Sequence, residues 1–199
     1  MTQNALPRSA SPQTAMGFLL TRRSTPTSAL KAPAPEGGAL DLLLTAAARV
    51  PDHGRLEPWR FVVVEASARA RLSALIRQRG AALGVEAAKV EKSAASWANA
   101  PLIVAVVSVP KPSDKVPPVE QLLSAGAVCL GLVNAALASG WGAGWVTGWA
   151  AFDRAFVETG LGLTAQEQIA GFVHLGSQDA PVPDRPRPDT ATLVTRLQA

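Results

Sequence analysis

Two short runs of consecutive apolar residues stand out along this chain: FVVV within Trp59–Glu65, and LIVAVVSV from Leu102 to Val109. Their length and β-branched content predict strands, and the absence of polar alternation predicts strands covered on both faces. A further buried strand is expected from Ile169 to Leu175. Helical spacing takes over elsewhere. Ser11 followed by Pro12 marks a helix start, with the helix running to about Arg23. Leu40, Leu43, Leu44, Ala47 and Ala48 share one face of a helix from about Glu36 to Arg49. Ser67 opens a helix that continues to about Trp97 with breaks at Gly80 and Gly84. Its charges (among them Arg69, Arg77, Arg79, Lys89, Glu91 and Lys92) make it a solvated layer. A long apolar helix covers about Val119 to Ser139. The segment GWGAGWVTGW, Gly140 to Trp149, leads into a strand, and a short helix follows near Asp153 to Thr159. Helices separating short strands predict an α+β or α/β core. Residues 1–14 read as a disordered lead and 15–199 as one domain, ending in a tail rich in proline and arginine.

Composition narrows the class. Of the 199 residues, 48% are hydrophobic and 17% charged, which fits a well-packed globule and not a disordered chain. The net charge of +4 is spread thinly. The basic residues are scattered, with close pairs such as Arg22-Arg23 and Arg185/Arg187, so a local anionic ligand is expected and a nucleic-acid track is not. Cys129 is the single cysteine, which excludes an intrachain disulfide and fits a reducing, cytoplasmic setting. With two histidines, His53 and His174, the chain cannot supply a structural zinc site, and no metal is expected. Residues 1–14 lack the basic start and apolar core of a secretory signal. Gln121–Ser139 is apolar enough to raise the question of a membrane span, but its small residues, Ser124 and Asn134 favour a buried core helix.

Three stretches could carry chemistry. RVPDHGRLEPW, Arg49 to Trp59, is a stiff polar loop held by Pro51 and Pro58, with Val50 and Glu57 pushed toward extended geometry. Arg22-Arg23-Ser24 at a helix end either grips a phosphate through forked guanidinium groups and a hydroxyl, or forms ordinary basic surface near a helix C-terminus. Gly140–Trp149 fails the dinucleotide pattern, because Trp145 stands at the third glycine position and the preceding segment is helical. It is either glycine-relieved backbone beside a flat aromatic ligand or a set of tryptophans packing a core. There is no G-x-S-x-G nucleophile elbow, and Cys129 in apolar surroundings is a poor thiolate. His53 reads as a donor to a ligand or a second subunit, and His174 as a satisfied core histidine.

Taken in order, LLTRRST (19–25), AARVPDHGRLEPWRFVVVE (47–65), APLIVAVV (100–107), the stretch 115–148 and IAGFVHLGS (169–177) resemble the nitroreductase superfamily. The similarity is to its small single-domain branch. The resemblance implies an α+β fold, a central mostly antiparallel sheet flanked by helices, in a homodimer with FMN at the subunit interface. It implies an FMN-dependent oxidoreductase passing hydride from NAD(P)H to nitroaromatics, quinones or similar electron-poor acceptors. Alternatives are a specialised oxidase, dehalogenase or flavin-modifying member, or a non-catalytic flavin-binding module. Matched residue by residue, Arg22, Arg23 and Ser24 meet the flavin phosphate. Arg49 and His53 reach FMN from the second subunit, and Trp145, Val146 and Thr147 line the flavin. Close relatives often carry a basic residue where this chain has Val146, so only its backbone is left to make contact. Ala135, Ala136, Leu137, Ala138, Ser139 and Gly140 match the suggested nicotinamide-nucleotide segment. No protein group is expected to act as acid, base or nucleophile, since the flavin carries the redox step.

Overall fold

The computed structural model describes residues 14–198. Its centre is a sheet of β1 (Trp59–Val64), β2 (Leu102–Ser108), β3 (Gly142–Val146) and β4 (Gln168–Gly176), in the order β1-β2-β4-β3. Every pairing is antiparallel, which decides for α+β. Helices cover both faces. On one side lies α5 (Pro118–Ala138), backed by α2 (Gly37–Ala47); on the other lie α3 (Ala66–Ala82), α4 (Ala87–Ala98) and α6 (Arg154–Leu161). The remaining helix, α1 (Ala15–Thr21), precedes the segment that docks on β3.

Strand β2 is apolar throughout because both of its faces are covered. Leu102, Val104 and Val106 pack toward α5, while Ile103, Ala105 and Val107 pack toward α3, α4 and α6. Trp97 of α4 sits edge-on to Phe156 and Phe172, with centroids 5.3 and 4.9 Å away. Strand β1 departs from the expectation of burial on both faces. It is an edge strand, half-buried from Trp59 to Val63, and only Val64 is buried.

Helix α5 is long and apolar enough to cross a membrane. Here it lies across β2, β3 and β4 and buries Ala125, Val128, Cys129, Leu132, Val133 and Ala136. Gly131 permits the close crossing with α2, since a Cβ there would stand 2.9 Å from the Ala47 carbonyl oxygen.

Two expected boundaries are corrected. The first helix is capped by Thr14, whose hydroxyl accepts from Gly17 N at 3.0 Å, so Ser11–Pro12 does not start it. Residues 1–13, nearly all of the expected lead, lie outside the described residues. The α3–α4 break falls at Gly84 (φ +65°), whereas Gly80 is buried inside α3 beneath Val90.

Candidate functional site

The segment after α1 is clamped to β3. Thr25 N donates to Ala143 O at 2.7 Å, and Ala143 N donates to Thr25 Oγ1 at 3.2 Å. The Thr25 hydroxyl donates in turn to Gln178 Oε1 at 2.8 Å. This docking explains the alternating glycines: a Cβ on Gly144 would lie 2.5 Å from the Thr25 carbonyl oxygen. The stretch from Gly142 to Val146 is therefore itself a strand, not a turn leading into one, and its glycines accommodate neighbouring chain.

That docking presents Arg22, Arg23 and Ser24 together. Arg22 Nη2 donates to Ser24 Oγ at 2.8 Å, leaving the serine O–H free to donate outward. Arg23 Nη1 donates to Ser24 O at 2.9 Å, and its Nε to Pro183 O at 3.2 Å. Arg187 donates to Arg22 O at 3.2 Å and to Asp184 Oδ1 at 2.6 Å. The C-terminal tail thus folds back and adds Arg185 and Arg187 to the pair at 22 and 23. Burial lowers the pKa of Arg22 from its usual value, and the neighbouring charges of Arg187, Arg185 and Arg23 lower it further. Arg22 Nε is buried without a partner. Four guanidinium groups beside a hydroxyl have the chemistry that suits a multiply charged oxyanion. The sequence showed Arg185/Arg187 only as a close basic pair, with nothing local to join it to residue 22.

Two adjoining cavities lie beside this segment, and of the four arginines only Arg23 lines one of them. One, about 370 Å³, is lined by Arg23, Ser24, Gly144, Trp145 and Val146. The other, about 500 Å³, is lined by Thr147, Gly148, Trp149, His174 and the α4 side chains Ser93 and Ser96. Thr27, Ser28, Lys92 and Val146 border both. The structure therefore brings Arg22, Arg23, Ser24, Trp145, Val146 and Thr147 into one region. The Trp145 indole covers Gly171 and approaches Gly126 of α5, so its ring lies on the α5 side of the sheet. Val146 gives the junction an apolar wall, and exposed Lys92, on the solvated layer of α4, supplies a cation at its rim.

His174 is not a satisfied core histidine. It is 1% exposed, and neither ring nitrogen has a hydrogen-bond partner. Burial pushes its pKa down to about 4, so the ring is neutral. Trp149 packs against the α3–α4 core, yet its Nε1 also lacks a partner. Of the three tryptophans in 140–149, Trp141 and Trp149 pack against the core clusters, and only Trp149 also lines the larger cavity. Cys129 is buried and its thiol is pushed up to about 12, which makes it inert as a nucleophile.

Other expected residues lie elsewhere in the chain. His53 Nδ1 stands 2.8 Å from Glu120 Oε2, and Pro51 O accepts from the Ser124 hydroxyl at 2.9 Å. This pins the 49–58 loop to the start of α5. Exposed Arg49 and His53 line neither cavity. The loop is stiffened from within by Asp52, which accepts from Leu56 N at 3.2 Å and Glu57 N at 2.9 Å. Glu57 consequently adopts φ +47°, not the extended geometry expected before Pro58. Ala135, Ala136, Leu137 and Ala138 form the last turn of α5, Ser139 is its C-cap and Gly140 makes the turn at φ +84°. None of these six lines either cavity.

Residues 19–177 match the profile of the Nitroreductase family. The chain belongs to the nitroreductase family. A relative from Escherichia coli (strain K12), "Putative NAD(P)H nitroreductase YdjA", is 37% identical over 163 residues, covering 82% of this chain and 87% of that protein. Among solved structures, the nitroreductase-like family protein from Bacillus cereus superposes with a TM-score of 0.77 at 21% identity, covering 92% of this chain and 95% of that one. The FMN-dependent nitroreductase from Clostridium difficile R20291 gives 0.62 at 20% identity, covering 88% and 93%. The antiparallel sheet with helices on both faces is thus the nitroreductase-like fold, and the chain is a nitroreductase-like oxidoreductase.

Proposed function

We propose that this nitroreductase-family chain binds FMN and uses NAD(P)H to reduce nitroaromatic, quinone or similar electron-poor acceptors. The observation that carries this reading is the cluster of Arg22, Arg23, Arg185 and Arg187, with Arg22 Nε buried and unpaired and Arg23 lining the smaller of two connected cavities. The residues fit the cofactor. Its phosphate would sit on the guanidinium groups and Ser24, the Thr27 and Ser28 hydroxyls would follow, and the larger cavity has room for a flat ring. Bound flavin supplies the electron transfer, and the chain supplies binding, orientation and a water-poor wall. Lys92 places positive charge at the junction, where it would favour negative charge on the ring.

Two copies of the chain would complete the site. Exposed Met16, Leu19 and Leu20 on α1 and Leu122, Leu123 and Leu130 on α5 form apolar surface of the kind a partner covers. Arg49 and His53, in the loop pinned to the start of α5, would then reach the flavin of a second copy.

Titration of the purified protein with FMN, followed by anaerobic NADH or NADPH, tests the reading. Saturable quenching of flavin fluorescence and bleaching of the visible band are expected. Failure to bind FMN would sink the proposal, and binding without reduction would favour a non-catalytic flavin module.

A further inference from the structure

Among the described residues, five buried side-chain polar atoms lack a hydrogen-bond partner: Arg22 Nε, Asn134 Oδ1, Trp149 Nε1 and both ring nitrogens of His174. Three other buried polar side chains are answered. Ser73 donates to Ala94 O, Gln121 binds Lys111 at both its amide N and carbonyl O, and Glu167 takes a forked Arg60 and the Thr164 amide. Three of the five orphans belong to the two residues His174 and Trp149, which line the same 500 Å³ cavity. Unpartnered buried groups gathered beside one cavity call for an explanation, and a ligand seated there would supply it.

The chemistry of that ligand follows from the donors. His174 is neutral, so its ring offers one N–H and one acceptor nitrogen, and Trp149 offers one N–H only. The cavity adds hydroxyls from Ser93 and Ser96 and the cation of Lys92, with no carboxylate in its lining. The complementary partner is a flat heterocycle carrying two carbonyl oxygens and an N–H, without positive charge. The pyrimidine edge of a flavin ring has that set of groups. The volume falls within the range of small-molecule sites, and Thr27, Ser28 and Val146 connect it to the cavity lined by Arg23 and Ser24.

We propose that His174 and Trp149 are ring-positioning residues that hydrogen-bond to the carbonyl and N–H edge of the flavin. This rests on the FMN reading above. His174 comes from β4 beside Gly144, and Trp149 from the 3-10 turn after β3, so two separately anchored elements fix the plane of the ring. Such contacts act on the ring and are indifferent to the phosphate.

The test compares His174→Phe and Trp149→Phe with wild type in binding FMN and riboflavin, and in the visible spectrum and reduction potential of the bound flavin. Both variants keep an aromatic ring while removing polar atoms, and the cofactor-free His174→Phe protein is expected to melt no lower than wild type. Each variant should weaken FMN and riboflavin by a similar factor, about tenfold, and shift the potential and spectrum. If one variant fails to fold, the other decides. Wild-type affinity, spectrum and potential in the folded variants would overturn the proposal while leaving the FMN reading intact. A wild-type protein that binds neither flavin would overturn the FMN reading and this proposal with it.

Discussion

Arg22 concentrates the argument at the scale of single residues. Its guanidinium is half-buried, faces three other arginines and keeps one donor unpaired, a placement that an oxyanion would relieve. Arg22→Ala and Arg187→Ala should each weaken FMN binding by about 1.5–3 kcal/mol, the usual worth of a hydrogen bond to a charged group. Riboflavin, which lacks the phosphate, should bind both variants like wild type. Equal losses for the two ligands would move the phosphate away from this cluster. His174 makes a second residue-scale prediction through pH. Its folded pKa of about 4 lies below the ordinary 6.5 because burial opposes the charged ring. Between those values the unfolded chain holds a proton that the folded chain does not, so stability is full above about pH 6.5 and falls toward pH 4. The loss is about 3 kcal/mol. Glu167, held down to about 2 chiefly by its hydrogen bond from Arg60, weakens the fold only at lower pH, as pH falls from 4.5 toward 2. Denaturant midpoints of cofactor-free His174→Phe should therefore stay flatter than wild type from pH 7 to 4, and parallel curves would refute the assignment. The sequence could not show this state of His174. An apolar strand pattern announces burial of a histidine, but whether its nitrogens meet partners depends on neighbours far along the chain.

Among the elements, the glycines of 140–149 separate two explanations that the sequence left open. They invite a cofactor reading, yet Gly144 is required by the Thr25 carbonyl, which packs on it as the 22–25 segment docks. Gly144→Ala should destabilise the protein by about 1–3 kcal/mol and loosen phosphate binding as well, because the arginines ride on that segment. Gly126→Ala in α5 is the matched control. Its Cβ would meet only the Trp145 ring at 3.9 Å, and alanine is the better helix former, so stability should hold or rise. Thermal melts of the pair, read with FMN titration, check both. A Gly144→Ala protein as stable as wild type would show that the docking is loose. Element types and order were legible in the sequence: strands from unbroken β-branched runs, α5 from its length, α6 from Asp153, whose carboxylate caps Phe156 N. What escaped were features set by tertiary placement. FVVV promised a central strand and became the edge, and Gly140–Trp149 hid a strand because its small residues answer a neighbouring segment and not a local periodicity.

At the scale of the whole molecule, the unresolved tension is that one chain gathers only part of the expected site. Arg22, Arg23, Ser24, Trp145, Val146 and Thr147 converge, while Arg49 and His53 stand apart at the start of α5, pinned through Glu120 and Ser124. The same helix buries one face against the sheet and exposes Leu122, Leu123 and Leu130 on another, with Met16, Leu19 and Leu20 exposed on α1. Apolar side chains along the outside of a core helix are costly in a solitary chain, and a second copy packing there would remove them from water. It would also carry its own 49–58 loop toward the flavin site proposed for this chain, giving the stiff, internally bonded loop a rigid reach. Dimerisation and cofactor binding should then fail together. Replacing Leu122 and Leu123 with Glu would place like charges on the proposed contact face without touching a residue of either cavity. Sedimentation should show the wild type as a dimer and the double variant as a monomer with unchanged far-ultraviolet dichroism. FMN affinity should drop in step, and His53→Ala should lower it while the dimer persists. A double variant that is monomeric yet binds FMN like wild type would place the whole cofactor site within one chain.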